Sequence, residues 1–375
     1  MKKQNKTVER KANQEMIEGG MNAVVGLDLG DKHSVVTVMN LDGEIVERKK
    51  IATSVAGFER YFQAWARMRV VFEAGSHANW TYRLLERLEH EPLMADTHRL
   101  ALITQSLSKD DRNDSERLAE LGLRMPEMLN AVEPCSLETQ YDRGVLKARE
   151  ALVEVRTKLI NSVRGTLKSF GMRLPAMSSP AFAKKAGPLL PEELQEALRP
   201  LLLVLQHTTD EIRRYDKRIE ELAEKKYPQT KRMRTANGVG VITSVAFVLN
   251  LDNDSSRLRH SRDAGARVGL KPKRRDSGER SPELSITKSG DPMMRRLLVQ
   301  CAQYILGHRG KDSALRRWGL GLAARGGTKS AKRKAVVAVA RKLAVLMHVL
   351  WHRDVDFEPF YGVQEVLEAA PPQAA

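Results

Sequence analysis

From Ala23 onward, short apolar runs alternate with polar breaks. VVGLDLG (24–30) is one run and SVVTVMN (34–40) a second, and the turn LDGE (41–44) feeds EIVERKKIAT (44–53). This spacing predicts three strands in an antiparallel meander. The period then changes. GFERYFQAWARM (57–68) has helical spacing, VVFEA (70–74) is a buried strand, NWTYRLLERLEH (79–90) is helical again, and EPLMAD (91–96) is a fifth strand. Strands followed by alternating helix and strand predict an α/β layer built on a mixed sheet.

Beyond that layer the pattern becomes purely helical. Val145, Ala148, Leu152, Val155, Leu159, Val163, Leu167 and Phe170 are three or four residues apart throughout, which predicts a long amphipathic helix with a heptad-like seam. Pro175, Pro180, Pro188 and Pro191 mark a connection, and a second seam runs through Leu205, Thr208, Ile212, Tyr215, Ile219 and Leu222. Two such helices make either a helical hairpin or an oligomerising coiled coil. After Lys231, TANGVGVITSVAFVLNL (235–251) places a Gly-x-Gly turn before an apolar helix. A loop-rich stretch (269–292) follows, and the helices MRRLLVQCAQYILGH (294–308) and SAKRKAVVAVARKLAVLMHVLWHR (330–353) close a small, mostly α domain. The expected organisation is a polar tail (1–20), an α/β domain (21–135), a helical hairpin (136–228), a basic C-terminal domain (229–353) and an acidic, frayed tail (354–375).

Composition narrows the function. A chain of 375 residues is comfortable for two domains, each with its own core. No run approaches 18 consecutive apolar residues, and the first 20 residues have no apolar segment of the secretory kind, so neither a membrane span nor a signal peptide is expected. Two cysteines, Cys135 and Cys301, make no disulfide framework and fit a reducing cytoplasm. The net charge of +16 is concentrated: residues 257–350 carry 23 Lys+Arg against 6 Asp+Glu. Such an excess is tolerated when the partner is a polyanion, which points to nucleic acid rather than to a membrane.

Asp28 ends the first strand in a GLDLG setting and Glu73 ends VVFEA, each a carboxylate placed directly after an apolar run. Asp111 and Asp114, three apart, share one face of a helix. Four carboxylates from separate elements at one end of a sheet would form a hard-oxygen site for two Mg²⁺, able to clamp the attacking and leaving oxygens of a phosphoryl transfer. Asp31 and Asp110 are neighbours better suited to capping.

The order GLDLGDKHSVVTV, VVFEAGSHANWTYRLLERL, SKDDRNDSERLAEL resembles the N-terminal RuvC-like, ribonuclease H-like domain of the DEDD transposases of the insertion sequence 110 family. The similarity extends through the long helix and into NGVGVITSVAFVLNL, ARVGLKPKRRDSG and ITKSGDPMMRRLLVQCA, so that it covers roughly residues 22–350. The resemblance implies that Asp28, Glu73, Asp111 and Asp114 are the catalytic, metal-binding acids, with Mg²⁺ as cofactor and Mn²⁺ able to substitute. It also implies that Ser277, in RRDSGER, is a catalytic nucleophile. The implied activity is excision and insertion of the chain's own DNA element, guided by a structured bridge RNA. The implied active site is composite, with acids and serine from different subunits of a dimer or tetramer.

Serine is a weak nucleophile near neutral pH, and no histidine adjoins Ser277, so metal assistance would be needed. Lys271, Lys273, Arg274, Arg275 and Arg280 surround it with charge suited to phosphate, and Lys288, Arg295 and Arg296 are further candidate nucleic-acid contacts. Ser281 and Ser285 are weaker candidates in the same loop, and Gly238-Val239-Gly240 suits backbone contact with a phosphate. Three other readings compete. GLDLGDKHSVVTV also looks like the first phosphate loop of actin-like ATPases, but no second Asp-Gly-rich loop follows. A RuvC-like metal nuclease or junction resolvase would need the acids and not the serine. An inactive binding relic would have no use for all four acids.

Overall fold

Val24, Val25, Leu27, Val36, Val38, Val70, Val71 and Phe72 are all fully buried, and the strands that carry them form the centre of the N-terminal fold. A computed structural model describes residues 21–96, 111–273 and 284–360, and the chain divides into two units, Met1–Cys135 and Ser136–Ala375. The expected tail 1–20 lies outside the described residues, as do 361–375, Asp110, Arg274, Arg275, Ser277, Arg280 and Ser281.

In the first unit, β1 (Ala23–Asp28), β2 (His33–Asn40), β3 (Ile45–Ala52), β4 (Arg69–Glu73) and β5 (Glu91–Ala95) form one sheet in the order β3-β2-β1-β4-β5. The meander β1-β2-β3 is antiparallel, while β4 and β5 join parallel to β1. Helices α1 (Val55–Phe62) and α2 (Ala78–Arg87) cover one face, where Phe58, Phe62, Leu84 and Leu85 meet Val25, Leu27, Val70 and Phe72. Helix α3 (Asp111–Arg124) covers the other, where Leu118, Ala119 and Leu121 meet Val24, Met39 and Val71.

The helix expected over 57–68 stops at Phe62, six residues early, and a buried imidazole bridges the break. His90 Nε2 lies 3.1 Å from the Phe62 carbonyl oxygen, and Met68 N–H donates to His90 Nδ1 at 3.2 Å. A carbonyl can only accept, so Nε2 carries the proton and the ring is neutral. The ring thereby gives the Met68 amide, just before β4, its partner, and it is a second partner for the Phe62 carbonyl, which also accepts from Trp65 N–H at 3.1 Å.

In the second unit, α4 (Leu137–Ser169) and α6 (Glu192–Lys225) run antiparallel as a hairpin, with α5 (Phe182–Ala186) in the connection. The α6 seam is buried at Leu205, Thr208, Ile212, Ile219 and Leu222, and it extends back through Leu202, Leu198 and Leu194. On α4 the expected stripe is only partly buried. Val163 and Leu167 are in the core, Val155 and Phe170 are exposed, and Leu146 is buried in place of Val145. The middle of the hairpin is joined by polar groups instead, where Arg149 Nε donates to Asp216 Oδ1 at 2.5 Å, so a continuous apolar seam has no partner there. At the base, buried Asp142 accepts from Tyr227 Oη at 2.7 Å and from Lys226 Nζ at 3.0 Å.

Helices α7 (Thr230–Arg234), α8 (Val241–Asn250), α9 (Ala264–Arg267), α10 (Pro292–Leu306), α11 (Ala314–Gly326) and α12 (Lys329–His352) complete the unit around one apolar core. By length and hydropathy α12 could cross a membrane. Here its apolar stripe, including Val339, Leu343 and Met347, is a core face of that cluster. The tail expected to fray from residue 354 is held as far as Phe360. Asp354 and Asp356 pair with Arg232, Phe357 N–H donates to Thr235 Oγ1, and Arg317 stacks over the Phe360 ring.

Candidate active site

Asp28 and Glu73 are the last residues of adjacent parallel strands. The register pairs Val24 with Arg69 through to Leu27 with Phe72, so the next residue on each strand is the carboxylate. In-register neighbours on a pleated sheet point to the same face. Val24 and Val71 face α3, whereas Leu27 and Phe72 face α1 and α2. By alternation, Asp28 and Glu73 fall on the α3 face.

Backbone contact sets the direction of α3. A Cβ on Gly26 would lie 1.7 Å from the Ser115 carbonyl oxygen, and one on Gly122 would lie 2.3 Å from Val71 Cγ2. Thr37, the β2 partner of Gly26, shares a buried 2.8 Å hydrogen bond with the Ser115 hydroxyl. Buried Arg69 ties the other end, donating to the Gly122 carbonyl at 3.1 Å and, through Nε, to Glu91 at 3.0 Å. The helix therefore runs from above Gly26 toward the start of β1 and β4. Its first residues, Asp111 to Asp114, lie at the opposite edge, the one that carries Asp28 and Glu73.

Asp114 is half-buried, with Arg117 at 3.8 Å on the next turn. Asp31, in the β1–β2 turn, is exposed and stands 3.9 Å from His77 Nε2; the His77 Nδ1 accepts from Trp80 Nε1 at 3.1 Å. Among the described residues no three His, Cys, Asp or Glu side chains are gathered closely enough to hold a metal ion. The donors at this edge are carboxylates, with hard oxygens of the kind Mg²⁺ and Mn²⁺ take.

The second unit prepares a separate feature. Lys273 N–H donates to the Ser285 carbonyl and Thr287 N–H to the Lys271 carbonyl, both at 2.9 Å, with a bridge between Pro272 and Ile286. This short antiparallel neck bounds residues 274–283, the segment that includes Ser277. At its base two backbones cross closely. A Cβ on Gly269 would lie 2.0 Å from the Ser289 carbonyl oxygen, and one on Gly290 would lie 2.0 Å from that of Arg267. Both glycines have positive φ, 71° and 77°, which side-chain-bearing residues rarely adopt.

The candidate cations separate into two groups. Lys271, Lys273 and Lys288 are exposed and make no ion pair among the described residues. Arg295 is instead a clamp on the neck, donating to the carbonyls of Val268 and Ser289 at 3.0 and 3.1 Å. Arg296 pairs with Glu150 and lies 3.9 Å from Glu154.

A family profile for DEDD transposases of IS110 matches residues 25–172, and one described as "Transposase IS116/IS110/IS902 family" matches residues 230–317. Together they cover more than half of the chain. The chain belongs to the IS110 family of transposases.

The transposase is similar to the "Transposase for insertion sequence element IS1111A" of Coxiella burnetii, 28% identical over 292 residues that span 76% of this chain and 78% of that one. It is also similar to the "Transposase for insertion sequence element IS1328" of Yersinia enterocolitica, 28% identical over 75% of this chain and 83% of the relative. A "Probable family 20 transposase" of Pseudomonas aeruginosa is 27% identical over 89% and 98%. As a transposase, the protein is an enzyme that cuts and joins DNA, and its five-stranded mixed sheet suits a ribonuclease H-like DEDD domain. In the transposase Thr37, Ser115, Gly122 and Arg69 position α3 on the sheet whose strands end in Asp28 and Glu73. None stood out in the sequence, because a small or polar residue inside an apolar run shows its purpose only when a neighbour packs on it.

Proposed function

We propose that this transposase excises and inserts its own element by metal-dependent phosphoryl transfer, with Ser277 as nucleophile and Asp28, Glu73, Asp111 and Asp114 as metal-binding acids. The observation that carries the reading is the placement of Asp28, Glu73 and the start of α3 at one edge and on one face of the sheet. A pair of Mg²⁺ or Mn²⁺ ions held there would stabilise charge on the attacking and leaving oxygens. Ser277 Oγ bonds to phosphorus as a phosphodiester P–O bond breaks, and the hydroxyl proton leaves with the displaced oxygen. Lys271 and Lys273 on the neck draw the DNA phosphate toward the loop.

The remaining parts of the reading are a bridge RNA that selects donor and target, a homodimeric or tetrameric assembly, and action in the cytoplasm on the nucleoid. The exposed cations suit backbone phosphate rather than base edges, which is what pairing-based specificity requires. Leu203 and Val204, exposed on α6, suit contact with a second copy.

The test is expression with native flanking DNA and PCR across the element ends. A circular junction made by the wild type and lost in both Asp28→Ala and Ser277→Ala supports the proposal. A junction that survives Ser277→Ala but not Asp28→Ala replaces it with the metal-nuclease reading. Sequencing of RNA that copurifies with the protein tests the guide, and recovery of no element-derived RNA removes that part.

A further inference from the structure

Between Pro292 and Arg353 the chain carries 14 Lys and Arg and a single acid, Asp312. The fold employs many of these cations internally. Arg295 and Arg316 bind backbone carbonyls, Arg296 and Arg317 pair with acids, and Lys342 lies 3.8 Å from the centre of the Trp318 ring. Arg325, Lys329, Lys332 and Arg333 differ. All four are exposed, they sit together at the turn between α11 and α12, and none makes an ion pair or side-chain hydrogen bond among the described residues.

Their register on α12 is informative. The stripe that α12 buries runs through Val339, Leu343, Met347 and Leu350, with Val336 half-buried before them. Continued toward the start of the helix in steps of three and four, the same stripe passes through Lys332 or Arg333 and then Lys329. The helix thus projects beyond its own core, and the face that would have been apolar is cationic. Nothing in helix energetics favours this. The first turn has no acidic residue, and cations there oppose the helix dipole.

The projection is rigid. A Cβ on Gly319 would come within 2.5 Å of Val339 Cγ2, and one on Gly326 within 2.5 Å of Ala331 Cβ, so side chains of α12 seat against bare backbone of α11 up to the turn. Thr328 caps α12, its Oγ1 accepting from Ala331 N–H at 3.1 Å.

We infer that Arg325, Lys329, Lys332 and Arg333 form a docking surface for the phosphate backbone of B-form duplex DNA. The inference rests on the proposal that the enzyme acts on DNA, and it locates a contact apart from the chemistry. Four exposed cations with no acid beside them complement closely spaced phosphates, and duplex DNA, the substrate of the proposed reaction, presents one negative charge about every 1.7 Å of its axis.

The test uses the full chain, a fluorescein-labelled DNA duplex, an RNA hairpin of equal length, and anisotropy over a salt series. The triple variant Lys329→Ala, Lys332→Ala, Arg333→Ala is compared with Lys158→Ala, Lys217→Ala, Lys225→Ala, which removes equal charge from the hairpin helices. The first triple should weaken DNA binding about tenfold or more and reduce the slope of log K against log salt by about 0.9 for each lost contact. The control should change the slope little. Lys329→Glu should weaken DNA binding further than Lys329→Ala while leaving the melting temperature equal or higher, since an acid suits that helix end. An unchanged slope in the first triple, or a loss confined to the RNA arm, overturns the inference and leaves the proposed chemistry standing. A wild type that binds no duplex DNA overturns both.

Discussion

Gly26 lies directly beneath the carbonyl of Ser115, so close that a Cβ there would come within 1.7 Å of the oxygen. This contact lets α3 approach β1 backbone to backbone and carries Asp114, the residue before Ser115, to the edge of the sheet that bears Asp28. A loop could not hold that relationship; a helix seated on a glycine and pinned by the Thr37–Ser115 hydrogen bond can.

Gly26→Ala should therefore damage both stability and activity. The added methyl meets backbone rather than a yielding side chain, so the helix must lift. A loss of about 1–3 kcal/mol or more is expected. Urea denaturation of the full chain, read as the transition of the first unit, checks the stability, and the excised-circle assay checks the activity. A variant with wild-type stability would show that α3 seats differently.

His90 makes the first unit sensitive to acid. Burial holds its imidazole below the usual histidine range, and the Met68 amide occupies the nitrogen that a second proton would need. The folded pKa is depressed, so the stabilisation is complete above the unfolded value of about 6.5 and is lost as pH falls below it, down to the folded pKa. Denaturation midpoints measured through this range should fall in the wild type more steeply than in His90→Gln. Parallel pH dependences would show that another group is responsible.

Arg295→Ala should loosen the neck beneath the Ser277 segment. Two charge-assisted bonds to buried carbonyls disappear, a cost of about 1.5–3 kcal/mol. Hydrogen exchange at Val268, Gly269, Lys273 and Thr287 should accelerate and excision should fall, while duplex affinity stays near wild type. A fall in duplex affinity with unchanged exchange would return Arg295 to the group of DNA-contacting cations.

Tyr227→Phe tests the base of the helical hairpin. It leaves the Asp142 carboxylate buried without its 2.7 Å hydroxyl donor, and the second unit should lose about 1–3 kcal/mol. The thermal transition of that unit should move down while the first unit's stays in place.

Most of the architecture was readable from periodicity. The five strands, the helices between them and the Gly-x-Gly turn before α8 all follow runs whose period of two or three to four is set by which face is buried. The errors lie where one residue overrides its neighbours' pattern. The helix expected through Met68 ends at Phe62, and His90, distant in sequence, supplies the partner of the Met68 amide beyond the break. The α4 stripe is interrupted at Arg149, which meets Asp216 on the partner helix rather than an apolar surface, and Val155 beyond it is exposed. Arg295 and Arg296 look like any other cations in a basic run, and only packing shows that they face carbonyls and carboxylates.

The sequence alone determined the two kinds of structure and the concentration of charge in the C-terminal part, and it singled out Asp28, Glu73, Asp111 and Asp114 as candidates. These depend on residue type and local spacing, which a single chain displays in full. The tertiary structure decided which acids share an edge, which cations remain unpaired and where a helix outruns its core. Those outcomes depend on contacts between residues tens to hundreds of positions apart, such as Gly26 with Ser115 and Arg143 with Asp291, and no local pattern encodes which distant surface will arrive.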